Sequence, residues 1–150
     1  MIQSEISGIA FTVHPVTEDY NQMIIEAGLG LGEAIVSGQV TPDSYIVSKN
    51  DLSIIDINVG NQSRKLVKIL KPKKIKSKSV KDEADLANEW VELGTKGERQ
   101  KITGKQIIAL AKVFQKIEDH YNFPCDIEWA MAKGKIYITQ SRPITTLKKK

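Results

Sequence analysis

The sequence predicts an α+β fold: a mostly antiparallel sheet, one long helix and a C-terminal β-hairpin. Short runs of β-branched and aromatic residues recur before residue 70, joined by tight turn signals rather than helical crossovers. Gly104 to Tyr121 then places Ile107, Ile108, Leu110, Ala111, Phe114, Ile117 and Tyr121 at three- and four-residue steps, the stripe of an amphipathic helix. Finally, Cys125, Ile127, Trp129 and Met131 alternate with Asp126, Glu128 and Ala130, and a second arm follows after Lys133-Gly134-Lys135.

The first strand is Ser7 to Val13, stopped by Pro15, with His14 extended before the proline. Met23 to Ala27 is a second strand. It runs into Gly28, Gly30 and Gly32, alternate glycines of a flexible loop, and Glu33 to Ser37 forms a short helical turn ending at Gly38. Glycine-rich strand-to-helix turns let backbone N–H groups approach phosphates, but a tight connection would look the same. Ser44–Ser48 and Ser53–Val59 make a strand pair about residues 49–52, and Gly60-Asn61 turns the chain. Lys65–Leu70 is a further strand. Ala84–Leu93 has helical spacing (Leu86, Trp90, Leu93), broken by Gly94 to Gly97. Thr103 is positioned to cap the long helix, and Asn122-Phe123-Pro124 ends it. His120 falls in the last turn, where the helix dipole favours a cation.

The hairpin carries the candidate chemistry. Asp126 and Glu128 share one side of the first arm, and Gln140 and Arg142 share one side of the second. An odd-numbered loop centred on Gly134 puts Glu128 opposite Gln140 and Asp126 opposite Arg142. A two-residue loop would put Gln140 and Arg142 on the other face. The odd loop is the reading taken, since Gly134 accepts positive φ. Carboxylate and amide oxygens suit a hard cation such as Mg²⁺, and a guanidinium suits a phosphate. The ordinary alternative is a solvated sheet face with one Asp126–Arg142 cross-strand pair, and spacing alone favours it.

The length of 150 residues, with 41% hydrophobic and 27% charged residues, describes one globular domain or a piece of a larger one. No apolar run reaches the roughly 20 residues of a membrane helix, and the N-terminus lacks the pattern of a signal peptide. The single cysteine, Cys125, excludes an intrachain disulfide and fits a reducing, cytoplasmic setting. The net charge is +4, yet nine basic residues and no acidic one lie between Arg64 and Lys81. The rest of the chain is therefore net acidic. The basic run has no interleaved aromatics to stack bases, so it reads as a solvated segment, and neither nucleic acid nor membrane is an expected partner.

Three stretches match one family in order and spacing: SGIAFTVHP…IIEAGLGLGEAIVSGQVTPDSYIV, LAKVFQKIEDHYNFP and CDIEWAMAKGKIYITQSRPITTL. Together they resemble the nucleotide-binding domain of the phosphoenolpyruvate synthase (pyruvate, water dikinase) family, whose wider group includes pyruvate phosphate dikinase and rifampicin phosphotransferase. The likeness covers nearly the whole chain, least over residues 70–103. It implies an ATP-grasp fold, with residues 1–150 as the C-terminal portion of that domain. It implies ATP and Mg²⁺ as cofactors, with Glu128 and Gln140 as metal ligands that also bind the nucleotide. Asp126 would be a supporting carboxylate, Arg142 would contact the polyphosphate, and Glu33 would line the nucleotide cleft. Asp126 and Arg142 are the expected catalytic pair.

The family's reaction turns ATP, pyruvate and water into phosphoenolpyruvate, AMP and phosphate through a histidine on a swivelling domain. The implied partners are the N-terminal ATP-grasp half, that phosphohistidine domain and a pyruvate-binding barrel. Neither His14 nor His120 lies in a phosphohistidine motif. The start just before a strand and the closing lysines fit a stretch cut from a longer protein, inactive by itself. A sister dikinase, an antibiotic phosphotransferase or a non-catalytic module of the same fold are the alternatives.

Overall fold

The computed structural model describes residues 5–14, 16–71 and 85–144. In order these form β1 (Ile6–Phe11), β2 (Gln22–Leu29), α1 (Gly32–Val36), β3 (Asp43–Ser48), β4 (Ile54–Asn58), β5 (Arg64–Lys71), β6 (Asp85–Glu92), a 3₁₀ turn (Gly94–Glu98), α2 (Gly104–Tyr121), β7 (Cys125–Ala132) and β8 (Lys135–Pro143). Six strands form one sheet in the order β4-β3-β2-β1-β7-β8, and β5-β6 is a separate two-stranded ribbon. Every pairing is antiparallel. The expected α+β architecture is the one found. Most of the lysine-rich run lies outside the described residues.

The sheet's two faces follow from period-two alternation. Ala10, Met23, Ile25, Ala27, Tyr45, Val47, Cys125, Ile127, Trp129 and Met131 share one face and a single apolar cluster with Ile107, Leu110, Ala111 and Phe114 of α2. At about 1.5–3 kcal/mol for each large side chain buried, this layer dominates the fold. Thr103 caps α2: its hydroxyl accepts from the Gln106 N–H at 3.2 Å, and the Gln106 side chain accepts from the Thr103 N–H at 2.8 Å. Asn122, at φ 59°, closes the other end.

Two polar knots, one buried and one partly buried, fix the connections. Lys101 Nζ and Asp43 lie 2.8 Å apart, both essentially without solvent contact, and Tyr45 donates to the same carboxylate at 2.6 Å. Burial and that carboxylate raise the Tyr45 pKa, so the phenol stays protonated. Lys49 bridges Glu118 at 2.6 Å and the Thr12 carbonyl at 2.7 Å, tying β3 and β1 to the end of α2.

The expectation of a helix over Ala84–Leu93 is wrong. Residues 85–92 are β6, paired along its length with β5. Leu86 and Trp90 are four apart, a step that fits a helix turn and two strand repeats equally well. Partner strand β5, not local period, decided the outcome. Trp90 lies under the Arg64 guanidinium, 3.9 Å from the ring centre.

The second face of the sheet is only partly covered. The small helix α1 lies against the Ser7 and Gly28 end, with Gly32 close to Ser7 and Ile35 close to Gly28. Leu31, Ala34, Ile35, Val40 and Leu66 form a second cluster there, joined by Trp90.

Candidate functional site

The hairpin reaches its expected pairing by an unexpected route. The turn between β7 and β8 has two residues, Lys133 and Gly134, both at positive φ (51° and 76°). The odd-numbered loop is therefore incorrect. From Ala132↔Lys135 to Trp129↔Ile138 the register is that of a two-residue turn, which taken alone would send Gln140 and Arg142 to the α2 face. One residue, Thr139, is then inserted between Ile138 and Gln140. Beyond this bulge Glu128 stands opposite Gln140 and Asp126 opposite Arg142. Sequence alternation on β7 gave no signal for a bulge on its partner.

These residues head two rows across the second face of the sheet. One row reads Gln140, Glu128, Ile9, Glu26, Ser44, Asn58. The next reads Arg142, Asp126, Phe11, Ile24, Ile46, Asp56. Arg142 donates through Nε to both Asp126 oxygens, at 2.9 and 3.0 Å. The Arg142 side chain is 67% exposed, so the pair adds little stability. It aims the side chain and leaves the terminal nitrogens without partners among the described residues. Glu128 and Gln140 make no hydrogen bond or ion pair among the described residues, and Glu128 is half-buried. Glu26, farther along the row, has its carboxyl pKa raised by burial.

Glu33 joins the site from α1. A cleft of about 870 Å³ opens between α1 and the hairpin, bordered by Ser7, Glu33, Ser37, Glu128 and the bulged Thr139 among others. That volume is in the range of small-ligand sites. Asp126, Gln140 and Arg142 lie beside this cleft rather than in its lining. Glu33 Oε2 accepts a hydrogen bond from Asn88 Nδ2 of β6 at 3.0 Å. Sequence reading missed Asn88 because it placed that segment in a helix.

The α1 loop is clamped from below. Gln62 is 1% exposed; its amide accepts from the Leu29 N–H at 2.9 Å and donates to the Leu29 and Arg64 carbonyls at 2.8 and 3.0 Å. Ser7 donates to the Gly30 carbonyl at 2.7 Å. Gly30, at φ 91°, lies against the β5 backbone where a side chain would collide with Leu66.

The other singled-out residues are structural. The His14 ring accepts from the Val16 and Thr17 N–H groups. His120 stacks edge-on against Tyr121. Cys125 is buried, and burial raises its thiol pKa, so it stays a neutral thiol. Among the described residues no helix is long and apolar enough to cross a membrane, and no cluster of three or more His, Cys, Asp or Glu could hold a metal by itself.

Comparisons with known proteins identify the family. The family model described as "Pyruvate phosphate dikinase, AMP/ATP-binding domain" matches residues 1–150. A phosphoenolpyruvate synthase of Pyrococcus furiosus is 48% identical over 99% of this chain and 18% of its own length. A probable phosphoenolpyruvate synthase of Methanocaldococcus jannaschii is 42% identical over 99% of the chain and 11% of its own. An uncharacterized phosphotransferase of Bacillus subtilis is 38% identical over 98% of the chain and 16% of its own. The chain thus spans less than a fifth of the length of these relatives. It belongs to the pyruvate phosphate dikinase AMP/ATP-binding domain family.

Proposed function

We propose that this chain is the C-terminal portion of an ATP-grasp domain and forms one wall of an Mg²⁺–ATP site in a cytoplasmic phosphoenolpyruvate synthase. The observation that carries the reading is the paired register, with Glu128 opposite Gln140 and Asp126 opposite Arg142, on the sheet face against which α1 carries Glu33. A half-buried carboxylate without a partner among the described residues and a facing amide are hard oxygen donors. Two such donors fit a cation that completes its shell with phosphate oxygens and water, as Mg²⁺ commonly does. When bound, the metal would neutralise phosphate charge.

The chain's own residues do the rest. Asp126 holds the guanidinium of Arg142 so that its free terminal nitrogens face a phosphate. Phosphoryl transfer depends mainly on positioning and charge stabilisation, and this wall supplies part of both. The acceptor, pyruvate, and the histidine that carries the phosphoryl group belong to other domains of the longer protein. The Bacillus subtilis relative supports a second reading, a sister phosphotransferase with the same nucleotide wall and another acceptor.

A nucleotide held between two lobes binds poorly to one. Titration of this chain with Mg²⁺–ATP should give weak or no binding, and adding the N-terminal half of the domain should restore it. Micromolar affinity of the chain alone would contradict the two-wall reading.

A further inference from the structure

We propose that Asn88 is a positioning residue for the nucleotide cleft, acting through Glu33; the inference rests on the ATP-site reading above. Glu33 sits in the first turn of α1, a helix of five residues, and its side chain is exposed. Nothing on α1 holds the carboxylate. Its one partner among the described residues is Asn88 Nδ2, 3.0 Å away and 55 positions along the chain. That partner is set on a firm base. The β5-β6 ribbon is stitched to the α1 loop by the buried Gln62 amide and by the Leu31 N–H, which donates to the Leu66 carbonyl at 2.8 Å. Leu66 and Trp90 pack into the cluster under α1.

Asn88 itself is exposed and fills no core space. It borders a second cavity of about 420 Å³ that Glu33 also lines, shared with Ser37, Gln39, Leu66 and Trp90. Glu33 therefore borders two open spaces, and the Asn88 bond decides which way its carboxylate points. A neutral amide suits this task. It fixes Oε2 without cancelling the charge, as a lysine would, and Oε1 stays free among the described residues to accept from a hydroxyl or amino group of the nucleotide.

A double-mutant cycle in the full-length protein tests this, reading ATP affinity and melting temperature for Asn88→Ala, Glu33→Ala, the double variant and Asn88→Gln. A hydrogen bond to a charged group at a solvated site predicts a weakening of about fivefold for Asn88→Ala. The melting temperature should be unchanged, Asn88→Gln should recover part of the loss, and Asn88→Ala should have no further effect once Glu33 is alanine. Independent, additive losses would overturn the proposal, as would unchanged affinity in Asn88→Ala. Glu128→Ala is the control: if it abolishes ATP binding while the cycle is additive, only the role of Asn88 falls. If it leaves ATP binding intact, the nucleotide reading falls and the role of Asn88 falls with it.

Discussion

Glu128 is a half-buried carboxylate without a partner among the described residues, while Asp126, two residues away, is bound by Arg142. On the function proposed above, the Glu128 carboxylate is kept open for a cation. Glu26 is a different case on the same face. Its carboxyl pKa is raised by burial, so the folded chain binds its proton more tightly than the unfolded chain does. The stability this contributes is complete below the ordinary carboxylate range and is lost as pH rises through the raised pKa. Glu26→Gln should therefore match the wild type in denaturant melts near pH 4 and exceed it at pH 7. An advantage that grows toward acid pH would contradict the assignment.

At the scale of elements, α2 was the most legible part of the sequence. Its apolar stripe, the Thr103 cap and the Asn122 stop agree with one another, and its bounds in the structure are those the sequence predicts. Local chemistry decides such an element. Thr103→Ala removes the side-chain acceptor of the capping box and should cost about 1 kcal/mol in chemical denaturation. The knot leading into α2 is worth more. Lys101→Met leaves Asp43 buried without its cation, and breaking a buried pair in this way costs about 3–5 kcal/mol. A melt indistinguishable from wild type would show that the remaining donors to Asp43 suffice.

The hairpin and the ribbon were less legible, for reasons that can be named. The alternation on β7 gave its faces correctly, but the bulge at Thr139 depends on the fit between two arms and has no period of its own. The sequence reading reached the right pairing through the wrong turn, because one extra residue in a loop and one in a strand have the same effect on register beyond them. In β6 the four-residue step from Leu86 to Trp90 satisfied two periods, and only the partner strand β5 distinguishes them. The cost of that error was functional: it hid Asn88 and its contact with Glu33.

Across the whole molecule, the sheet is finished on one face and open on the other. The α2 face is closed by a continuous apolar cluster, whereas the opposite face carries α1 at one end and exposes the hairpin's polar residues beside it. Half-buried Ile9, Phe11 and Ile46 share that open face with Glu26, Asp126 and Glu128. A face with an apolar floor and a charged margin is what one half of a ligand cleft requires. The family resemblance supplied the ligand, ATP, that the geometry alone leaves unnamed, and family membership now rests on the match over residues 1–150.

The most direct test of the Glu128–Gln140 wall is calorimetric titration of the full-length protein with ATP, in the presence and absence of Mg²⁺, for wild type and Glu128→Ala. The account predicts tight, Mg²⁺-dependent binding by the wild type and its loss, by about a hundredfold or more, when a carboxylate ligand of the metal is removed. Tight Mg²⁺-dependent binding that survives Glu128→Ala would contradict it.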